Sequence, residues 1–173
     1  MLVLRSILSI LLLPTVVAIV VPYTIVTSRT ASPPWPVSAP VGVAALAVGL
    51  AAAAAGLALV CVTVRQFATV GRGTLAPWDP PRRLVVTGVY RHVRNPMISG
   101  VVLVLVGEAL ALRSTGVLEW AATFFAANAI YLPLVEERGL VRRFGDDYLT
   151  YRRNVPRWVP RATPWQPPWA EDA

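Results

Sequence analysis

The sequence predicts an all-α integral membrane protein with about four transmembrane helices and a cytoplasmic C-terminal amphipathic helical segment. Three observations carry that expectation. Hydrophobic residues fill 55% of the 173 positions and charged residues only 14%, where a soluble domain carries about a quarter charged. The apolar residues lie in unbroken runs, as hydrocarbon about 30 Å thick requires of helices of roughly 20 residues. All 16 basic residues are arginine, and they gather on one side of the layout those runs imply. A soluble or disordered chain is thereby excluded. The single Cys61 allows no intramolecular disulfide and no cysteine-based zinc site, and it is expected to be a small buried hydrophobe. The length fits one domain spanning residues 1–173.

The first span is expected at Ser6 to Val26, 21 residues without a charge. That run exceeds the 7 to 15 residues of a signal-peptide core and no small-x-small cleavage site follows, so it reads as a retained helix. The second, Val37 to Val64, has 28 uncharged residues rich in Ala and Gly, a composition that lets helices approach closely in lipid. Together they form an N-terminal unit over 6–64. Met97 to Leu112 and Gly116 to Val135 give a third and fourth span carrying Glu108 and Glu119. Only Arg113, Ser114 and Thr115 separate them, so they form an antiparallel hairpin, with Arg113 snorkelling to the interface. Glu108 and Glu119 are expected to snorkel or to pair with Arg113.

Four spans put the N-terminus, the 65–96 loop and the C-terminal tail on one face. Fourteen arginines lie there, against Arg29 and Arg113 on the other. The positive-inside rule makes the crowded face cytoplasmic, with both termini on it, in a plasma or inner cell membrane. The formal charge of +7 is then orientation and headgroup contact; the partner is the lipid bilayer, and no nucleic acid is called for. Trp35, Trp78, Trp120, Trp158, Trp165 and Trp169 fall at or beyond the ends of the runs, as an interfacial belt requires.

Chemistry is expected in two cytoplasmic stretches. The first, Arg82 to Pro96, leads into the third span, with Gly88 permitting a turn and Pro96 suited to a first helical turn. Arg91, His92, Arg94 and Asn95 stand there beside a helix start, where an anion is favoured. The second begins at Glu136. Leu140, Phe144, Tyr148 and Tyr151 recur at spacings of 4, 4 and 3, an apolar stripe expected to lie on the headgroups, with Gly145 dividing the helix and Asp146 or Asp147 capping its second part. The hairpin brings Arg94-Asn95-Pro96 and the adjacent carboxylates Glu136 and Glu137 to one surface, a site for a ligand bearing both charges. His92 alone is expected at the surface, no metal-ligand spacing is present, and Gly71-x-Gly73 is a weak glycine pair.

At these stretches the sequence resembles the isoprenylcysteine carboxyl methyltransferase family of integral membrane methyltransferases. The matching text is Gly88-x-Tyr90 with Arg94-Asn95-Pro96-Met97, then Glu136-Glu137-x-x-Leu140, then Phe144-Gly145-x-x-Tyr148-x-x-Tyr151-x-x-x-Val155-Pro156. It covers about half the chain, 82–161. The resemblance implies S-adenosyl-L-methionine entering from the cytosol and a lipophilic or prenylated small-molecule acceptor arriving from the bilayer. It points to Arg83, Leu84, Val85, Tyr90, Arg94, Asn95, Pro96, Met97, Ile98, Glu136 and Glu137 as cofactor-binding, and names no catalytic base. The sequence departs from the family's usual Tyr at Ile98 and frequent His at Asn95. It also has Leu132 where the prenylcysteine enzymes carry an Arg for the substrate carboxylate, so acceptors without one are equally implied. Two other readings stand beside it: an NADPH-dependent sterol-type membrane reductase, for which Met97-Ile98 is the wrong text after the proline, and a non-enzymatic membrane scaffold.

Overall fold

The computed structural model describes residues 15–28, 34–69 and 84–170, and those residues form helices and turns without strands. Helix α1, Val16–Thr27, opens with a widened π turn over Val16–Val20. Helix α2 covers Ala39–Thr69, α3 Pro96–Leu112 and α4 Thr115–Tyr131. A π segment, Leu132–Glu136, carries α4 without a break into α5, Glu137–Asn154. Pro133 lies inside that segment; without an N–H it cannot complete an i→i−4 bond, and the ladder widens there.

Among the described residues, two helical stretches are long and apolar enough to cross a membrane, Ala39–Gln66 at mean hydropathy 2.4 and Thr115–Asn154 at 1.3. Val16–Thr27 and Pro96–Leu112 are apolar but shorter. The second expected span thus runs on past Val64, and the fourth continues through Glu136 into the amphipathic helix instead of ending near Val135.

The helices pack antiparallel. Along the α2–α3 seam the backbones nearly touch: a Cβ on Gly56 would sit 2.5 Å from the Gly100 carbonyl oxygen, and one on Gly107 2.6 Å from the Gly49 carbonyl oxygen. Only glycine permits that approach. Val101, Leu105 and Ala121 form a core between α3 and α4, with Val17 and Trp120 packed on it. The Trp120 indole donates to the Val17 carbonyl at 3.0 Å, fastening α1 to α4.

The hairpin turn is tighter than the sequence suggested, because Thr115 already belongs to α4. Arg113 adopts the left-handed conformation (φ 52°, ψ 42°), and Ser114 donates its N–H to the Ala109 carbonyl at 3.0 Å, a Schellman closure normally given to glycine. The Ser114 hydroxyl then caps α4 by accepting from Val117 N–H. Arg113 does not pair with Glu108; it exchanges bonds with Trp35 instead, Trp35 N–H to Arg113 C=O at 3.0 Å and Arg113 Nη1 to Trp35 C=O at 3.3 Å. A buried Glu108 Oε2 is left without a partner. Cys61 is exposed on α2, and so it is not the buried residue expected.

The stripe on α5 differs from the headgroup-lying face predicted. Tyr148, Tyr151 and Val155 form a core with Val86, covered by Leu84, Phe144, Trp165 and Trp169. The protein's own tail and the segment before α3 cover the stripe. Gly145 (φ 52°, ψ −128°) kinks α5 as its sequence position implied, in a conformation that favours glycine.

Candidate functional site

The segment 84–95 has little regular structure, and its shape comes from partners. Gly88–Arg91 is a single 3-10 turn. Gly88 has φ +51°, a conformation that favours glycine, and a Cβ there would also push aside the tip of the Gln66 side chain from α2. The Tyr151 hydroxyl donates to the Tyr90 carbonyl at 2.7 Å, tying the turn to α5.

The tail then runs beside the segment. Arg94 N–H donates to Pro156 C=O at 2.9 Å, Arg161 N–H to His92 C=O at 3.0 Å, and Trp165 N–H to Arg91 C=O at 3.0 Å. Side chains add Arg91 Nε to Trp165 C=O at 2.7 Å and His92 Nδ1–H to Arg161 C=O at 2.8 Å. His92 is therefore a partly buried fastening residue and not the surface residue expected. Trp165 packs on Tyr151 with ring centroids 5.9 Å apart, and Trp158 packs on Phe125 of α4 at 5.0 Å. These tryptophans hold the tail.

At the centre lies Glu137, 5% exposed. Its Oε1 accepts from Arg94 Nη1 at 2.8 Å and Arg157 Nε at 2.9 Å, and its Oε2 lies 3.8 Å from Arg152 Nη1. Arg94 Nη1 also reaches the Tyr148 hydroxyl at 3.4 Å. The two adjacent carboxylates thus differ from the expected open pair: Glu137 is buried against arginines from three parts of the chain, while Glu136 is exposed. Consecutive residues of a helix stand about 100° apart, so the two carboxylates face different ways.

Glu136 is close enough to Tyr90 to act on it. Burial first, then the Tyr151 phenol and the Glu136 carboxylate, hold the Tyr90 phenol well above its ordinary range, so the hydroxyl stays neutral at physiological pH. Asn95 precedes α3 with non-helical dihedrals and its side chain does not cap the helix; Pro96 occupies the first turn, as expected. Ser99 donates both its N–H and its hydroxyl to the Asn95 carbonyl. Arg94, whose side chain is 9% exposed, has a buried Nε with no partner among the described residues.

Of the residues predicted for the site, Tyr90, Arg94, Asn95, Pro96, Glu136 and Glu137 lie at one end of the hairpin, with Met97 and Ile98 in the first turn of α3. Leu84 packs on the α5 stripe and Val85 is buried. Arg83 lies outside the described residues, as do Gly71, Gly73 and Trp78. Sequence reasoning missed Arg152 and Arg157 as counterions, Tyr151 as the brace of Tyr90, and Gln66 behind Gly88. Tyr151 was visible in the stripe; nothing in the text singles out Arg157 among so many arginines.

A family model described as phospholipid methyltransferase matches residues 44–147. The chain belongs to the phospholipid methyltransferase family. That family is one of the isoprenylcysteine carboxyl methyltransferase-like membrane methyltransferases, in agreement with the resemblance read at Arg94-Asn95-Pro96 and Glu136-Glu137. No curated protein and no solved structure matches the chain. Membership makes this a membrane methyltransferase in general terms, and the matched stretch contains both halves of the polar site. Among the described residues no cluster of His, Cys, Asp and Glu is suited to a metal ion, so the protein groups at hand are the guanidinium, carboxylate, amide and phenol side chains above.

Proposed function

We propose that the protein is an S-adenosyl-L-methionine-dependent methyltransferase acting on a lipophilic acceptor presented by the bilayer. The observation that carries this is the convergence of Tyr90, Arg94, Asn95 and Glu136 at the mouth of the α3–α4 hairpin, inside the matched family stretch. The donor set fits the cofactor. The unpartnered Arg94 Nε is a buried donor for a carboxylate, and Glu136 is an exposed carboxylate for an ammonium or sulfonium. Leu84, Val85, Asn95, Pro96, Met97, Ile98 and Arg83 complete the proposed cofactor-binding set. When bound, the cofactor supplies an electrophilic methyl group; the chain orients it and excludes water. Methyl transfer of this kind needs in-line positioning above all.

The acceptor we propose is a phospholipid, the substrate class named in the family's description, methylated at a headgroup amine. Leu132 supports an acceptor without a free carboxylate, because it is 2% exposed and offers no charge where the prenylcysteine enzymes place an Arg. We further propose four spans, with the site and both termini cytoplasmic, on the arginine distribution.

The test is methyl transfer from radiolabelled cofactor by the full chain in vesicles of phosphatidylethanolamine and phosphatidylcholine. Label is expected in the extracted lipid, in the amine lipid alone. Absence of transfer, together with absence of cofactor binding, would refute the proposal.

A further inference from the structure

We infer that Glu137 is a positioning residue that aims Arg94 at the cofactor's carboxylate, and is not itself a cofactor ligand. This rests on the proposed methyltransferase reading and deepens it. Both oxygens of Glu137 face arginines, at 2.8, 2.9 and 3.8 Å, and the side chain is 6% exposed. At Oε1 an ammonium would have to displace a guanidinium, and at Oε2 it would meet the Arg152 charge 3.8 Å away on a carboxylate only 6% exposed. Arg94, by contrast, is held through Nη1 alone, by Glu137 and the Tyr148 hydroxyl. Its Nε remains buried without a partner among the described residues.

A buried donor left unpaired carries a desolvation cost, and a native structure keeps one for a reason. A guanidinium has two edges able to meet a carboxylate side-on, and the edge that includes Nε is the one Glu137 does not use. One carboxylate therefore grips the guanidinium at Nη1 and leaves that second edge for another. The grip is also the point where the tail enters: Arg157 shares Oε1 with Arg94, and Arg94 N–H is bonded to the Pro156 carbonyl. Glu137 thus fixes the Arg94 side chain against the backbone that carries it.

Three probes separate this role from direct contact. S-adenosylhomocysteine carries both ammonium and carboxylate; a deaminated analogue keeps only the carboxylate, and a decarboxylated analogue only the amine. Binding of each to the full chain in detergent is measured by calorimetry for wild type, Glu137→Gln and the milder Glu137→Asp. Removing a charged hydrogen-bond partner changes affinity by about 10- to 100-fold. Glu137→Gln is expected to weaken S-adenosylhomocysteine and the deaminated analogue by about that factor, and the decarboxylated analogue by less than about 2-fold. Glu137→Asp, which keeps the charge but withdraws it by one methylene, shows the same selectivity at smaller size and decides the matter if Glu137→Gln does not fold. A loss confined to the amine-bearing probes would make Glu137 a direct ligand, and an equal loss for all three would make it merely structural; either overturns the inference and leaves the methyltransferase reading standing. Failure of wild type to bind any probe overturns both.

Discussion

The α2–α3 seam gives the sharpest stability prediction. In Gly107→Ala the new Cβ lies 2.6 Å from both the Gly49 carbonyl oxygen and the Ala53 amide nitrogen, and 3.0 Å from the Ala53 Cα. Carbon-to-oxygen contacts in packed helices lie near about 3.3–3.6 Å, so the helices must part by most of an ångström. All the near atoms are backbone, so no rotamer change relieves the clash. A gap of about 0.5–1 Å forfeits a quarter to a half of each dispersion contact it opens, and overpacking of this kind costs about 1–3 kcal/mol. Replacing glycine by alanine inside a helix returns about 0.5–1 kcal/mol, leaving a net loss of about 1–2 kcal/mol. Gly139→Ala is the matched control, because a Cβ there has nothing within 4 Å, and it should be neutral or stabilising by about 0.5 kcal/mol. Thermal unfolding in detergent compares the two. Equal melting temperatures for Gly107→Ala and Gly139→Ala would refute the close seam.

Three further outcomes follow from the site. Tyr151→Phe removes the donor to the buried Tyr90 carbonyl and should cost about 1–2 kcal/mol, with faster amide exchange across 87–91 by mass spectrometry; unchanged exchange would show that the bond does not hold the turn. Trp165→Ala uncovers Tyr151 and removes the ring contacts to Tyr151 and Trp169 that pack the tail on α5, so proteolysis after Asn154 should accelerate several-fold, while Val159→Ala, at an exposed position, should leave the rate unchanged. Tyr90 gives a pH dependence. Its folded phenol is held above the ordinary value of 10.0, so the neutral form is favoured by folding; that stability is complete below pH 10 and is lost as pH rises through the folded value. Melting temperature should therefore fall above pH 10, and Tyr90→Phe should flatten part of that fall.

Much of the fold was legible because lipid imposes length and apolarity on a helix. The hairpin, its turn and the Gly145 kink could be read from Arg113-Ser114 and from one glycine in a charged helix. What could not be read depended on a third element arriving from elsewhere. The stripe of Leu140, Phe144, Tyr148 and Tyr151 has the pattern of a headgroup-lying face, and only the tail's return over it reveals a small core. Glu136 and Glu137 look equivalent in sequence; their places one step apart around the helix separate them by face, and Arg94 and Arg157 then claim one of the two. Cys61 shows a further limit, since in a helix apolar on every side composition does not distinguish the lipid face from the packed one.

The central claim is that the hairpin mouth binds the cofactor, and calorimetry of S-adenosylhomocysteine with the full chain in detergent tests it most directly. Micromolar binding is expected in wild type, weakened at least about 10-fold in Glu136→Ala and in Asn95→Ala with melting temperatures preserved. No binding, or binding indifferent to both substitutions, would contradict it.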